Sequence, residues 1–206
     1  MSKQSDLFED FYLRAGSNLH EVPWANLVPN AAMVQLLDTL PASAGGRALV
    51  VGCGLGDDAE ELARRGYAVT AFDVAPTAID RCHQRYPDSD VEYVLADVLE
   101  LPSRWAGRFD LVIEIRTLQC LPADERPIGA TEIARTVAPG GRLYVRCYRL
   151  TDEIVDRFDG PPWPLDRADL QVFTTVGLIT ERLEENDVGL PGADRGPTFT
   201  AVYRRP

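Results

Sequence analysis

The chain has 206 residues, 45% apolar and 26% charged, which is the balance of a folded globular protein and excludes disorder as its default state. Acids outnumber bases 32 to 21, a net charge of −11, so the surface repels phosphodiester backbones and nucleic acid is not an expected partner. No uncharged apolar run approaches the ~18 residues of a membrane span, and the start MSKQSDLFEDFYLRAG lacks the pattern of a secretory leader, so no membrane association and a cytoplasmic location are expected.

Residues 5–14 read as a short amphipathic helix capped by Ser5, with Leu7, Phe8, Phe11 and Tyr12 on its apolar side and Gly16 ending it. Two prolines make 17–29 irregular. Asn30 can cap a helix through Leu40, with Met33, Leu36, Leu37 and Leu40 at helical spacing, and Pro41 to Gly46 reads as a loop. The register then changes. RALVVG (47–52) is a continuous apolar run, as in a strand buried on both faces. A helix over Asp57 to Arg65, a strand over 68–73, a helix from Pro76 to Tyr86 and strands over 91–95 and 109–115 follow. A helix from Pro127 to Val137 leads through a PGG turn (139–141) into a strand over 142–148. The Pro-rich GPPWP (160–164) precedes a helix over Arg167–Val176 and two closing strands, Leu178–Leu183 and Thr198–Arg204, expected to form an antiparallel hairpin. Strand–helix alternation over 47–150 argues for an α/β fold, a mostly parallel sheet flanked by helices. The whole of 1–206 reads as one domain, with 1–44 as a helical lid and 45–206 as the Rossmann-like core.

The four cysteines, Cys53, Cys82, Cys120 and Cys147, form no CxxC pair and read as reduced, mostly buried thiols. His20 and His83 are far apart in the chain, and no metal site is expected.

The most informative stretch is LVVGCGLGDDAEELARRGYAVTAFD, in which a buried strand runs into Gly52-Cys53-Gly54-Leu55-Gly56 and then a helix. Glycines there allow a tight turn and close approach of a ligand to the backbone, and Asp73, ending the next strand, can accept hydrogen bonds from a ribose diol. A dinucleotide, a nucleotide phosphate and a phosphate-free adenosine could each use such a loop. The dinucleotide fingerprint wants a third glycine where Asp57 stands, and Asp57 and Asp58 would repel a pyrophosphate at the helix start. No Gly-Lys-Ser/Thr follows for a P-loop. An acidic glycine loop suits S-adenosylmethionine, which carries an ammonium and a sulfonium and no phosphate. Asp57 and Asp58 serve equally well as partners of the helix dipole.

VGCGLGDDAEELARRGYAVTAFDVAPTAI resembles motif I and its sequel in class I S-adenosylmethionine-dependent methyltransferases, and LADVLELP (95–102), FDLVIEIRTLQCLP (109–122) and VAPGGRLYVR (137–146) continue the likeness in order. The resemblance implies a seven-stranded sheet of order 3-2-1-4-5-7-6 with strand 7 antiparallel. It places Gly52, Cys53, Gly54 and Gly56 along the methionine end of S-adenosylmethionine, Asp73 on the ribose, Val74 on adenine, Asp97 and Val98 at the adenine edge, and Glu114 beside the donor. VPWANLVPNAAMVQLL is similar to the entry of thiopurine methyltransferase-like and tellurite-resistance-type enzymes, where a tryptophan, here Trp24, covers the cofactor. Where that group has Asp-Arg after strand four, this chain has Glu114-Ile115-Arg116.

Methyl transfer is an in-line displacement at an activated carbon, and alignment alone lowers such a barrier by roughly 7–11 kcal/mol. A thiolate needs little more, whereas a hydroxyl needs a base or metal. Polar candidates at strand ends and lids are Tyr12, His20, Arg116, Thr117, Arg146 and Tyr148. Arg116 can hold an anionic substrate or steady the donor's carboxylate, Tyr148 can donate a hydrogen bond or act as a base, and His20 can act as a base, and these three are the catalytic candidates. Trp163 reads as core filling. The leading expectation is a small-molecule methyltransferase, monomeric or homodimeric, with a thiol or related chalcogen acceptor. Oxygen or nitrogen acceptors, a catalytically silent S-adenosylmethionine-binding protein and an NAD-dependent oxidoreductase are the alternatives.

Overall fold

The computed structural model describes residues 3–40, 45–151, 160–188 and 196–206. It divides into two compact units, Met1–Asp97 and Val98–Pro206. Seven strands form one sheet of order β3-β2-β1-β4-β5-β7-β6, with β1 Arg47–Val51, β2 Ala68–Asp73, β3 Glu92–Leu95, β4 Phe109–Ile115, β5 Val137–Tyr148, β6 Ile179–Asn186 and β7 Thr198–Arg204. The β1–β2, β2–β3 and β4–β5 pairs are parallel, and β7 runs antiparallel to β5 and to β6. This is the topology the sequence implied.

In the first unit the helices are α1 Lys3–Ala15, α2 Ala31–Thr39, α3 Asp57–Arg64 and α4 Pro76–Arg85. The Asn30 side chain accepts from the Ala32 and Met33 amides at 3.0 and 3.2 Å, the N-cap read from its position. Pro76 occupies the first turn of α4, where its missing N–H is no loss. The α4 start is also met by a carboxylate from α1, since Glu9 accepts from the Thr77 amide at 3.0 Å and from the Thr77 hydroxyl. Ser5 is not the cap of α1. The helix begins before it, at Lys3, and Ser5 is buried within the helix. Leu7 is 37% exposed, while Tyr12, Ala15 and Ser5 carry the buried side of the helix. A single 3-10 turn, Leu19–Glu21, interrupts the irregular segment. Of the loop expected over 41–46, residues 41–44 lie outside the described part.

In the second unit α5 spans Arg126–Thr136 and α6 spans Arg167–Thr175. The PGG of 139–141 is not a turn but part of β5, whose pairing with β4 shifts register between Phe109 and Leu111. The cause is close backbone approach. A Cβ on Gly141 would stand 2.8 Å from the Phe109 carbonyl oxygen and 2.9 Å from that of Ala138. The β6 edge strand extends past the expected Leu183 to Asn186 and is studded with charge, as exposed edges are. Trp163 is half-buried. Cys53, Cys82 and Cys147 are buried free thiols, and Cys120 is a partly buried one. No described helix is long and apolar enough to cross a membrane.

Candidate donor loop and acceptor-side cluster

The loop between β1 and α3 turns on three glycines with positive φ: Gly52 at 61°, Gly54 at 55° and Gly56 at 90°. L-residues rarely adopt this geometry, so the chain reverses here with its backbone bare. Gly56 is also crowded. A Cβ on it would stand 2.6 Å from the Tyr93 hydroxyl and 3.1 Å from the Cys82 sulfur. Gly56→Ala is therefore expected to lower the unfolding free energy by about 2 kcal/mol, read by urea denaturation. An unchanged midpoint would mean that the loop can relax at that position.

Asp73 ends β2 beneath this loop and is 7% exposed. Its Oδ2 accepts from the Gly54 amide at 2.9 Å and its Oδ1 from the Ala75 amide at 3.0 Å. Burial pushes its pKa up, and these amide bonds pull it back. A carboxylate has about four lone-pair sites, so Asp73 can brace the loop and still accept from a diol. Val74, next in line, is half-buried. Cys53 is buried in the loop, and a hydrogen bond with Cys82, followed by burial, holds its thiol well above the usual range. Cys82 in turn donates to the Gly54 carbonyl at 3.3 Å. These thiols pack and brace the turn.

The structure gives Asp57 and Asp58 different partners. Asp57 forms a two-pronged ion pair with Arg85, both contacts at 2.8 Å, and accepts from the Tyr86 hydroxyl at 3.1 Å. Asp58 accepts from the Asn30 amide at 2.6 Å, tying α3 to the start of α2. Arg85 balances the charge of Asp57, whereas Asp58 accepts from an amide and keeps its charge, so the charge argument against a pyrophosphate rests on Asp58.

Over the loop lies aromatic side-chain bulk that sequence reasoning credited only to Trp24. Trp24 is half-buried, and its ring makes edge contacts with Phe8, Phe11 and Tyr12 at centroid distances of 5.5, 5.3 and 5.5 Å. Its Nε1 donates to the Tyr12 hydroxyl at 3.0 Å. His20 is exposed in the 3-10 turn. Asp97, just past β3, is half-exposed.

The second unit carries its own polar cluster. Glu114, near the end of β4, is fully buried. Its Oε1 accepts from the Thr117 amide at 2.7 Å and the Leu118 amide at 2.9 Å, while Oε2 has no hydrogen-bond partner among the described residues. Burial raises its pKa to about 7. The resemblance implies a place for Glu114 beside the donor; in the structure its Oε1 holds the turn that follows β4. That turn forces Arg116 to a φ of 66°, rare for a residue with a Cβ, and sets its guanidinium 4.5 Å from the centre of the Tyr148 ring. Gln119, also fully buried, accepts from the Tyr148 amide at 2.8 Å. Arg146 is buried and donates to the Thr200 hydroxyl. Val98 is buried with its side chain toward Gly129 of α5. Arg116 and Tyr148, two of the three catalytic candidates, are thus brought into contact. Gln119 was missed because a glutamine in a loop carries no burial signal of its own.

A methyltransferase-domain family model matches residues 48–141. Thiocyanate methyltransferase 1 of Arabidopsis thaliana is 28% identical over 174 residues, covering 82% of this chain and 74% of that protein. Fatty-acid O-methyltransferase of Mycolicibacterium smegmatis is 32% identical over 167 residues, covering 76% of this chain and 58% of that protein, so the chain spans under two thirds of its length. The solved structure of the N-methyltransferase NodS from Bradyrhizobium japonicum WM9, in complex with S-adenosyl-l-homocysteine, shares the fold over 100% of both chains with a TM-score of 0.72 at 22% identity.

Proposed function

We propose that the chain is a class I S-adenosylmethionine-dependent methyltransferase acting on a small molecule, and that its acceptor is a thiol or related chalcogen that reacts as an anion. The observation that carries this reading is the Arg116–Tyr148 pair, a permanent cation whose backbone and ring contact are both fixed. A fixed cation suits an acceptor that is already ionised, which needs alignment and charge balance more than a base. The likeness to a plant thiocyanate methyltransferase supports the same choice. On the donor side, Gly52, Cys53, Gly54 and Gly56 offer backbone approach, Asp73 a ribose acceptor, Val74 an adenine contact, Asp97 an adenine-edge contact and Trp24 a cover. The positive-φ glycines Gly52 and Gly54 fit a ligand that must come close to bare backbone, and the position of Asp73 under the loop fits a diol. When bound, S-adenosylmethionine supplies the activated methyl carbon.

A second reading, methylation of an oxygen acceptor, is favoured by the likeness to the fatty-acid O-methyltransferase, and a carboxylate would also meet Arg116. There His20 would be the available base. Release of S-adenosylhomocysteine should be assayed with a panel of small thiols, carboxylates, phenols and amines, with Arg116→Met alongside. Thiols should turn over fastest, and the variant should raise their KM about tenfold or more. Turnover confined to carboxylates or phenols would replace the first reading with the second. Donor binding without turnover of any acceptor would leave only a silent binder.

A further inference from the structure

The glycine loop has a neighbour whose hydroxyl no glycine-loop or strand-end motif points to. Tyr12, on α1, is 2% exposed, and its hydroxyl oxygen lies 3.3 Å from where a Gly54 Cβ would stand. Its ring packs in one cluster with Leu55 of the loop and Ala75 just after β2. Three contacts hold it there. Arg81 of α4 donates to the Tyr12 carbonyl at 3.1 Å and to the Gly16 carbonyl, and Glu9 binds the first turn of α4 one helical turn before Tyr12. The helix that carries Tyr12 is therefore pinned to the element that follows Asp73.

The hydrogen bonding of the hydroxyl has a direction. Trp24 Nε1 donates to it at 3.0 Å, which uses an oxygen lone pair and leaves the O–H proton to be given elsewhere. Burial, with the Asp73 carboxylate second, raises the phenol pKa well above its usual value, so the group stays a neutral donor. Among the described residues the Asp73 oxygens accept from the Gly54 and Ala75 amides and not from the Tyr12 hydroxyl. A phenol proton offered against Gly54 meets whichever end of the donor lies on the glycines.

We propose that Tyr12 is a donor-binding residue whose hydroxyl, oriented by Trp24, hydrogen-bonds the carboxylate of the amino-acid end of S-adenosylmethionine. The assignment rests on the donor lying against the glycine loop. It makes α1 part of the binding site and not only a cover, and it gives Trp24 a second task, that of turning the Tyr12 proton toward the ligand.

The test is calorimetric titration of wild type, Tyr12→Phe and Asp73→Ala with two ligands, S-adenosylhomocysteine and decarboxylated S-adenosylmethionine, which keeps the ammonium and lacks only the carboxylate end group. Phenylalanine preserves the ring packing and loses the bond from Trp24 Nε1, so thermal unfolding should fall modestly while the protein stays folded. Tyr12→Phe should weaken S-adenosylhomocysteine about tenfold and leave the decarboxylated ligand within twofold of wild type. Equal loss for both ligands would reduce Tyr12 to packing and overturn the assignment. So would full S-adenosylhomocysteine affinity in Tyr12→Phe while Asp73→Ala loses it. If neither variant changes either affinity, the placement of the donor on this loop falls instead, and the Tyr12 assignment with it.

Discussion

Asp73→Ala is expected to weaken S-adenosylhomocysteine binding about 100-fold and to lower the unfolding free energy by about 2 kcal/mol. The two effects come from different sets of bonds. In the proposed donor site two charge-assisted bonds from a ribose diol, taken near the low end of roughly 1.5–3 kcal/mol each, would account for the affinity. The stability loss comes from the Gly54 and Ala75 amides, which now donate to the carboxylate at 2.9 and 3.0 Å and would be left buried without an acceptor. Each such orphan costs about 1–3 kcal/mol. Part of that is offset, because removing a buried charge also removes its desolvation penalty, the main reason the Asp73 pKa is raised. Asparagine is not a silent control. One carboxylate oxygen would become an NH2 group facing a backbone N–H. Calorimetry gives the affinity, and urea denaturation gives the stability. A variant that loses stability and keeps its affinity would show that Asp73 only braces the loop.

The parts of the fold that could be read from the sequence are those whose cause is local. RALVV and AVTAFD are apolar throughout because both faces of these strands are covered, and the structure begins and ends them where the runs do. Asn30 and Pro76 declare helix starts through their own side chains. The errors have distant causes. Pro139-Gly140-Gly141 has turn chemistry, and the Phe109 and Asp110 carbonyls, far away in the chain, join the nearby Ala138 carbonyl in explaining why a glycine belongs in that strand. Asp57 and Asp58 looked like a ligand's counter-charge, but each has a protein partner 28 residues away, one downstream in Arg85 and one upstream in Asn30. Among the site candidates, the glycines and Asp73 were legible because strand–glycine–helix order fixes their place. The roles of Glu114 and Gln119 were not, because burial of a polar residue leaves no periodic trace when its partners are backbone amides of a turn.

Glu114 shows what such a buried group does to the whole chain. Its folded pKa of about 7 lies above the ordinary 4.5, so between those values the unfolded chain has released a proton that the folded chain keeps. Stability from this group is therefore fully present below about pH 4.5 and is lost as pH rises toward 7, by on the order of 3 kcal/mol. The other titratable groups facing it are the Cys147 thiol on β5 and the Tyr203 phenol on β7. Burial holds both above their usual values, so they stay protonated through this window and add no slope. Glu114→Gln removes the titration and keeps an oxygen for the Thr117 and Leu118 amides. Its new NH2 group, placed where Oε2 now stands without a partner, costs about 1–3 kcal/mol. The variant should therefore be less stable than wild type at pH 5 and close to it, or above it, at pH 8. Urea midpoints across pH 5–8 read the difference directly. Parallel curves for the two proteins would mean that Glu114 is already ionised at pH 5 and that its two amide bonds outweigh its burial.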